Sequence, residues 1–214
     1  MVAERAVVAA TQRILELGVK EGEDESGGRV MNETTQQMHL RSHARATGVV
    51  YLSYFATAIL GLLLKSHKLP AGVALIGLAS VLYATVTILL YRLFRPTQPF
   101  LALAATLCGL AGCVTDGLHQ LNWDREWGLA GVSPLLFFGP FCVLLGVLIL
   151  RSRFLPHWLG WPLIVAGLGW LAYLNPMVAQ HASIVIFPVG FLAEFALMLW
   201  LLLRGVDDAQ WKEN

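Results

Sequence analysis

Apolar residues dominate the chain from Thr47 onward, in stretches of about 20 residues separated by short groups of charged residues and prolines. At a rise of about 1.5 Å per residue, a helix of that length crosses roughly 30 Å of hydrocarbon. The pattern therefore predicts an all-α protein, a bundle of six transmembrane helices. The predicted spans cover residues 47–65, 71–94, 99–121, 128–150, 155–178 and 182–203.

The domain boundaries follow from this pattern. Residues 1–46 combine a short helical pattern with the acidic segment EGEDESGG, which is too polar to build a core, and they are predicted to form a partly helical or disordered cytoplasmic extension. Residues 47–206 form the six-helix transmembrane domain, and residues 207–214 form a cytoplasmic tail. The connections within the domain are short, so consecutive helices are predicted to be antiparallel neighbours.

Lysine and arginine in the short loops predict the orientation. The connections and termini on one side of the predicted membrane hold eight basic residues: Arg41, Arg45, Arg92, Arg95, Arg151, Arg153, Arg204 and Lys212. The connections on the opposite side hold only Lys65, Lys68 and Arg125. Because cytoplasmic loops carry the excess of basic residues, both termini are predicted to lie inside a bacterial cytoplasmic membrane.

Composition supports the membrane assignment and excludes several classes of function. The chain is 57% hydrophobic and 14% charged, whereas soluble domains have about 25% charged residues. A formal net charge of +1 provides no basic surface for nucleic acid. The motifs HExxH, GxxxxGK[ST] and GxSxG are absent from the sequence, and no metal or cofactor is predicted. Cys108, Cys113 and Cys142 lie in apolar stretches and are interpreted as structural thiols.

Several motifs between about Arg41 and Trp211 resemble a family of bacterial membrane proteins. They are ATGVVYLSY, LLYRLFRP, FFGPFCVLLGVLILRSRFLPHWLGWPLIVAGLGWLAYL and FLAEFALMLWLLLRGV. In these motifs the chain resembles the family known as domain of unknown function 4386. The resemblance implies a six-span bacterial membrane protein and, as the family's name states, supplies no activity.

Ionisable residues within the spans are the main candidates for chemistry, because each costs about 2.5 to 3.5 kcal/mol on insertion scales. Glu194 lies twelve positions from the predicted outer end of the sixth span, too deep to reach the surface easily. Asp116 and His119 are three positions apart on the third span and so share one helix face. We interpret these three residues as candidate proton donors or relays, with interhelical packing as the alternative for each.

Other polar residues would gather at the outer side of the predicted bundle. Asn122, Asn175 and His181 could form the rim of a ligand pocket there, and Tyr54 adds a hydroxyl on the first span. Polar residues collect at every membrane surface, which is the alternative reading. A repeat of small residues on the third span is predicted to permit close helix packing, at Ala105, Gly109, Cys113 and Gly117.

Three functional hypotheses follow. The first is a bundle that binds membrane lipids, another apolar small molecule or a membrane partner. The second is a membrane-embedded enzyme that acts on a lipid or isoprenoid with carboxylate acid/base residues. The third is a proton-coupled transporter. Convergence of Asp116, His119 and Glu194 on one cavity would favour the enzyme or the transporter.

Overall fold

The computed structural model describes residues 41–120 and 132–206, and within these ranges all regular secondary structure is helical. The all-α prediction is confirmed for this part of the chain. Most of the predicted N-terminal extension and the predicted tail, residues 207–214, lie outside the described residues, so the predicted domain boundaries stay predictions.

Six α-helices and one short 3-10 helix make up the described chain. Three of the α-helices begin at a proline, a residue whose fixed φ suits the first helical position and whose missing N–H costs nothing there. The elements are α1 (Arg41–Ser66), α2 (Pro70–Phe94), α3 (Pro99–Gln120), α4 (Leu135–Arg151), a 3-10 turn (His157–Leu159), α5 (Gly160–Tyr173) and α6 (Pro176–Leu203).

Four helical segments of the described chain are long and apolar enough to cross a membrane: Arg41–Ser66, Pro70–Phe94, Pro99–Gln120 and Ile184–Leu203. Helices α4 and α5 are shorter, at 17 and 14 residues. They extend for about 26 and about 21 Å, less than the roughly 30 Å of a hydrocarbon core. The described helices are therefore compatible with a membrane protein, and the count of six spans stays a prediction.

The break between the last two helices lies a few residues before the predicted one. The predicted fifth span runs to about residue 178, but α5 ends at Tyr173 and α6 begins at Pro176. The side chain of Asn175 accepts a hydrogen bond of 2.9 Å from the backbone N–H of Met177 and so caps α6. The cap and the following proline place the break here, although the residues on both sides are apolar.

Consecutive helices from α2 to α6 pack against one another, as the short connections predict. Helix α1 contacts both α2 and α6 through glycines. A Cβ atom added at Gly48 would lie 2.6 Å from the backbone nitrogen of Leu202 on α6, and one at Gly61 would lie 2.9 Å from the Ile76 side chain on α2. Helix α1 therefore runs close to the backbone of α6.

Two pairs of glycines bring α4 and α5 into backbone contact. A Cβ atom at Gly146 would lie 2.6 Å from the carbonyl oxygen of Gly160, and one at Gly160 would lie 2.7 Å from that of Gly146. The same holds one pair further along, where a Cβ atom at Gly167 would lie 2.5 Å from the carbonyl oxygen of Gly139. Each pair is seven residues from the other on both helices, so the contacts fix the antiparallel register.

The predicted small-residue repeat on α3 lies partly at a helix contact. Ala105, Gly109 and Cys113 are buried, and a Cβ atom at Gly109 would lie 2.8 Å from the Thr87 side chain on α2. Gly117 differs, because a Cβ atom there would have nothing within 4 Å. The repeat permits close packing over its first three positions.

We expect Gly167→Ala to destabilise the fold, because its methyl group would meet the carbonyl oxygen of Gly139 on a neighbouring backbone. Overpacking of this kind costs about 1 to 3 kcal/mol. Gly117→Ala is the matched control, since it adds the same methyl group in open space and raises helix propensity by up to about 1 kcal/mol. Thermal unfolding in detergent compares the two, and equal stability would refute the glycine contact.

Candidate functional site

Glu194 on α6 accepts hydrogen bonds from two tyrosine hydroxyls that belong to other helices. Its Oε2 atom lies 2.7 Å from the hydroxyl oxygen of Tyr51 on α1 and 3.1 Å from that of Tyr83 on α2. Its other oxygen, Oε1, lies 3.7 Å from the thiol sulfur of Cys142 on α4. One carboxyl group thus joins four helices.

The three donors of the Glu194 carboxyl group are deeply buried. Tyr51 and Cys142 are completely inaccessible and Tyr83 is 4% exposed, and Glu194 as a whole residue is half-buried. The carboxyl group therefore satisfies donors that have little access to any other acceptor.

Aromatic rings surround this carboxyl group. The Tyr83 ring lies 4.7 Å from that of Tyr54 and 6.0 Å from that of Tyr51, measured between centroids. Further rings extend the set without a break to α4 and α6: Phe55, Phe138, Phe141, Phe191 and Phe195. We call these eight rings with Glu194 and Cys142 the Glu194 cluster.

The Glu194 cluster can accommodate both protonation states of its carboxyl group. An ionised carboxylate only accepts, and the two hydroxyls and the thiol supply donors. A protonated carboxyl group also donates, and a tyrosine oxygen can accept as well as donate. The same arrangement of heavy atoms therefore serves both forms, with only the hydroxyl hydrogens rotating.

Asp116, the second candidate carboxyl group, accepts a hydrogen bond from α2 at a position about one helical turn from Tyr83. Oδ2 of Asp116 accepts a hydrogen bond of 2.6 Å from the hydroxyl of Ser80. Ser80 and Tyr83 are three positions apart and share one face of α2, so Asp116 and Glu194 contact the same face. The two carboxyl groups belong to one polar region but have different hydrogen-bond partners.

His119 points back to its own helix. Its Nδ1 atom lies 2.9 Å from the carbonyl oxygen of Thr115, while Asp116 turns to Ser80. The sequence placed Asp116 and His119 on one helix face, and the structure gives each a contact of its own. At the same end of α3, Gln120 accepts a hydrogen bond of 2.9 Å from the Lys65 ammonium group of α1.

The residues predicted to line an outer pocket lie near the start of α6 or outside the described residues. Asn175 is exposed and uses its side-chain oxygen as the cap of α6. His181 is exposed, with Nδ1 2.8 Å from the carbonyl oxygen of Met177. Asn122 lies outside the described residues. Of the three predicted ligand-binding residues that the structure describes, Tyr54 is the one at the Glu194 cluster.

Sequence reasoning missed Tyr83 as a partner of Glu194 and regarded Cys142 only as a structural thiol. A usable signal was present on α2, where Ser80, Tyr83 and Thr87 recur at spacings of three and four in an otherwise apolar helix. That spacing places them on one face. Within residues 41–120 and 132–206, no group of three or more His, Cys, Asp or Glu side chains is arranged to hold a metal ion.

Comparison with known proteins adds a relative but no activity. The chain is 24% identical over 153 residues to an uncharacterised protein of Archaeoglobus fulgidus, and the match covers 69% of this chain and 93% of the relative. No solved structure gives a significant match to the chain.

A family model matches the part of the chain that contains α4, α5 and α6. The matched segment includes Cys142 and Glu194 but not Tyr51, Tyr83 or Asp116. Residues 125–205 match the family described as domain of unknown function (DUF4386), which confirms over this segment the resemblance that the sequence motifs indicate.

Proposed function

We propose that the protein spans a bacterial cytoplasmic membrane six times with both termini inside, and that its bundle binds an apolar or amphiphilic small molecule or a membrane lipid at the Glu194 cluster. Glu194 is the polar group of this site. The rings around it supply the apolar contacts.

The outward side chains support the membrane placement. Phe100 is 85% exposed and Ile184 is 81% exposed, and large apolar residues recur along the outer faces of α1, α2, α3 and α6. Soluble proteins rarely expose continuous apolar surfaces of this kind. In a bilayer these side chains contact lipid tails, so their exposure is favourable.

The two shorter helices fit a six-span arrangement if α4 and α5 form one tight hairpin. The 3-10 turn and α5 together cover 157–173, about 25 Å of helix. Helix α6 has 28 residues and exceeds the hydrocarbon thickness, which tilting accommodates. The glycine contacts between α4 and α5 support a hairpin that inserts as one unit.

The observation that carries the binding proposal is the position of the Glu194 carboxyl group, which contacts donors from three other helices within a continuous set of aromatic rings. Ligand sites in helical bundles have this composition, with mostly apolar and aromatic walls and a few placed polar groups. The contacts from α1, α2 and α4 hold the Glu194 carboxyl group in a defined position, as the polar group of a ligand site requires.

The enzymatic and transport hypotheses use the same carboxyl groups. Acid-initiated chemistry on a lipid or isoprenoid would take its proton from Glu194 or Asp116. Proton-coupled transport would use them as coupling groups. Chemical conversion of the bound molecule would indicate an enzyme, and its movement across the membrane would indicate a transporter; neither is expected of a protein that only binds it.

The orientation is tested by reporter fusions after Lys68, Arg95, Arg125, Arg153 and Asp207. We expect cytoplasmic signals after Arg95, Arg153 and Asp207 and external signals after Lys68 and Arg125, because basic residues concentrate on the cytoplasmic side. An external signal at Arg95 or Arg153 would contradict the proposed topology.

The binding proposal is tested with Glu194→Gln in the full-length chain. The amide keeps the size of the side chain and one acceptor for the tyrosine hydroxyls, so the variant is expected to fold. We expect mass spectrometry to find a molecule that is enriched with the purified wild-type protein over the surrounding membrane and lost from the variant. Glu194→Leu should instead lower stability, by about 1 to 3 kcal/mol, since it leaves both hydroxyls without an acceptor.

Thr87→Val is the matched control for these variants. Thr87 is buried one helical turn from Tyr83, but its hydroxyl bonds the Tyr83 carbonyl oxygen at 2.9 Å within α2. The control should retain the bound molecule. A wild-type protein without any enriched molecule, or a Glu194→Gln variant that retains it fully, would leave Glu194 as an interhelical packing group.

A further inference from the structure

A cavity of about 520 Å³ opens at the end of the bundle where α4 and α6 end and the described part of α1 begins. Three arginines from three separate segments line it: Arg41, Arg153 and Arg204. Arg41 lies on α1, Arg153 in the connection from α4 to α5, and Arg204 directly after α6. We call this cavity the arginine pocket; it contains none of the residues of the Glu194 cluster.

The connection after α4 holds Arg153 in a defined position. Ser152 is buried, and its hydroxyl bonds the carbonyl oxygen of Ile149 at 2.9 Å, which ends the helix. Phe154 and Leu155 are each 2% exposed, and the Phe154 ring lies 5.3 Å from the Phe94 ring on α2. Arg153 lies between buried neighbours and is itself exposed. The packing of those neighbours fixes the backbone from which the Arg153 side chain extends.

Backbone hydrogen bonds at the end of α6 fix the position of Arg204. The backbone N–H groups of Arg204 and Gly205 both donate to the carbonyl oxygen of Trp200, at 2.9 and 3.0 Å. Gly205 has a φ of 71°, a left-handed conformation that closes the helix and that glycine adopts without strain. The Arg204 guanidinium lies 5.5 Å from the centroid of the Trp200 ring, a cation–π contact.

We propose that the arginine pocket binds the phosphate headgroup of an anionic phospholipid. A guanidinium group matches a phosphate with two parallel hydrogen bonds, and three such groups around one cavity favour a compact anion. Arg41 and Arg153 each have a further interaction in the structure, so a phosphate would share their guanidinium groups with those contacts. The proposal rests on the membrane placement proposed above but not on ligand binding at Glu194.

The walls of the pocket favour a lipid over a soluble phosphate. Trp200 lines it beside the arginines and is only half-buried, so a lipid bound there would also contact an aromatic ring. The Trp158 ring lies 5.8 Å from the Trp200 ring and is 54% exposed, as expected at the level of lipid headgroups. Basic pockets between helices on the cytoplasmic side are suited to anionic lipids, which concentrate in that leaflet.

Two other occupants have to be distinguished. Free inorganic phosphate has the same charged oxygens but no acyl chains. The acidic residues Asp207 and Asp208 follow Val206 in the sequence and are potential internal counter-charges. The test therefore compares lipid, soluble phosphate and the two acidic residues.

The experiment measures phosphatidylglycerol and phosphatidylcholine binding to the full-length protein by native mass spectrometry in detergent. Wild type should bind phosphatidylglycerol in preference to phosphatidylcholine. Arg204→Gln and Arg153→Gln should each weaken that binding about fivefold, the effect of one basic residue at an anionic membrane surface. Arg204→Lys keeps the charge without the planar fork and should give an intermediate loss, and an unchanged thermal unfolding temperature in detergent shows that these variants are folded.

Arg95→Gln is the matched control. It removes one arginine from the end of α2, outside the lining of the pocket, and should leave phosphatidylglycerol binding unchanged. An equal loss in Arg95→Gln and Arg204→Gln would overturn the pocket in favour of general surface charge. Wild-type binding in Arg204→Gln would also overturn it.

Further arms separate the sources of phosphate. Arginine-dependent thermal stabilisation by inorganic phosphate alone would overturn the lipid assignment. Phosphatidylglycerol binding that appears only in the Asp207→Asn, Asp208→Asn double variant would do so too, in favour of the acidic residues as occupants. Glu194→Gln should keep the arginine-dependent lipid binding, so failure of the Glu194 proposal and failure of this one are distinguishable.

Discussion

The structure depends on satisfying buried polar groups inside an apolar bundle. Threonines do so within their own helices: the hydroxyls of Thr106 and Thr115 each bond the carbonyl oxygen four residues earlier, both at 2.7 Å. A tyrosine hydroxyl lies too far from its own backbone for this. Tyr51 and Tyr83 therefore need an acceptor on another helix, and Glu194 supplies it. The cost of burying one carboxyl group is offset by contacts that tie α1, α2 and α4 to α6.

The glycine contacts between α4 and α5 set the position from which α4 reaches this carboxyl group. Cys142 lies three residues after Gly139 and four before Gly146, between the two backbone contacts. Because a Cβ atom at either glycine would meet α5, the register of α4 leaves little freedom along its axis. Packing against α5 thus determines the height at which the Cys142 thiol faces Glu194. Helix α5 itself contributes no residue to the Glu194 cluster.

The helical architecture and the two carboxyl groups within apolar helices could be predicted from the sequence, whereas the side-chain contacts between helices could not. An ionisable residue deep in an apolar stretch is conspicuous, and so Glu194 and Asp116 were found. Their partners were not, because Tyr83 and Glu194 are 111 positions apart and hydropathy carries no information on pairing across helices. The break before α6 was missed for a different reason: a hydropathy pattern averages over Asn175 and Pro176, whereas capping depends on single residues. The repeated spacing of seven between glycines in α4 and α5 was visible and became meaningful only with the antiparallel register.

Helices α4 and α6 connect the Glu194 cluster to the arginine pocket. Glu194 and Arg204 are ten residues apart on α6, about 15 Å along the axis. The Tyr51 hydrogen bond to Glu194 is 2.7 Å long, and O–H···O bonds extend to only about 3.0 Å. The Tyr83 bond is longer, at 3.1 Å, so the Tyr51 hydroxyl makes the stronger contact to the carboxyl group. The two sites therefore join the same three parts of the bundle, α1, α4 with its following connection, and α6, at two different heights, and they share no residue.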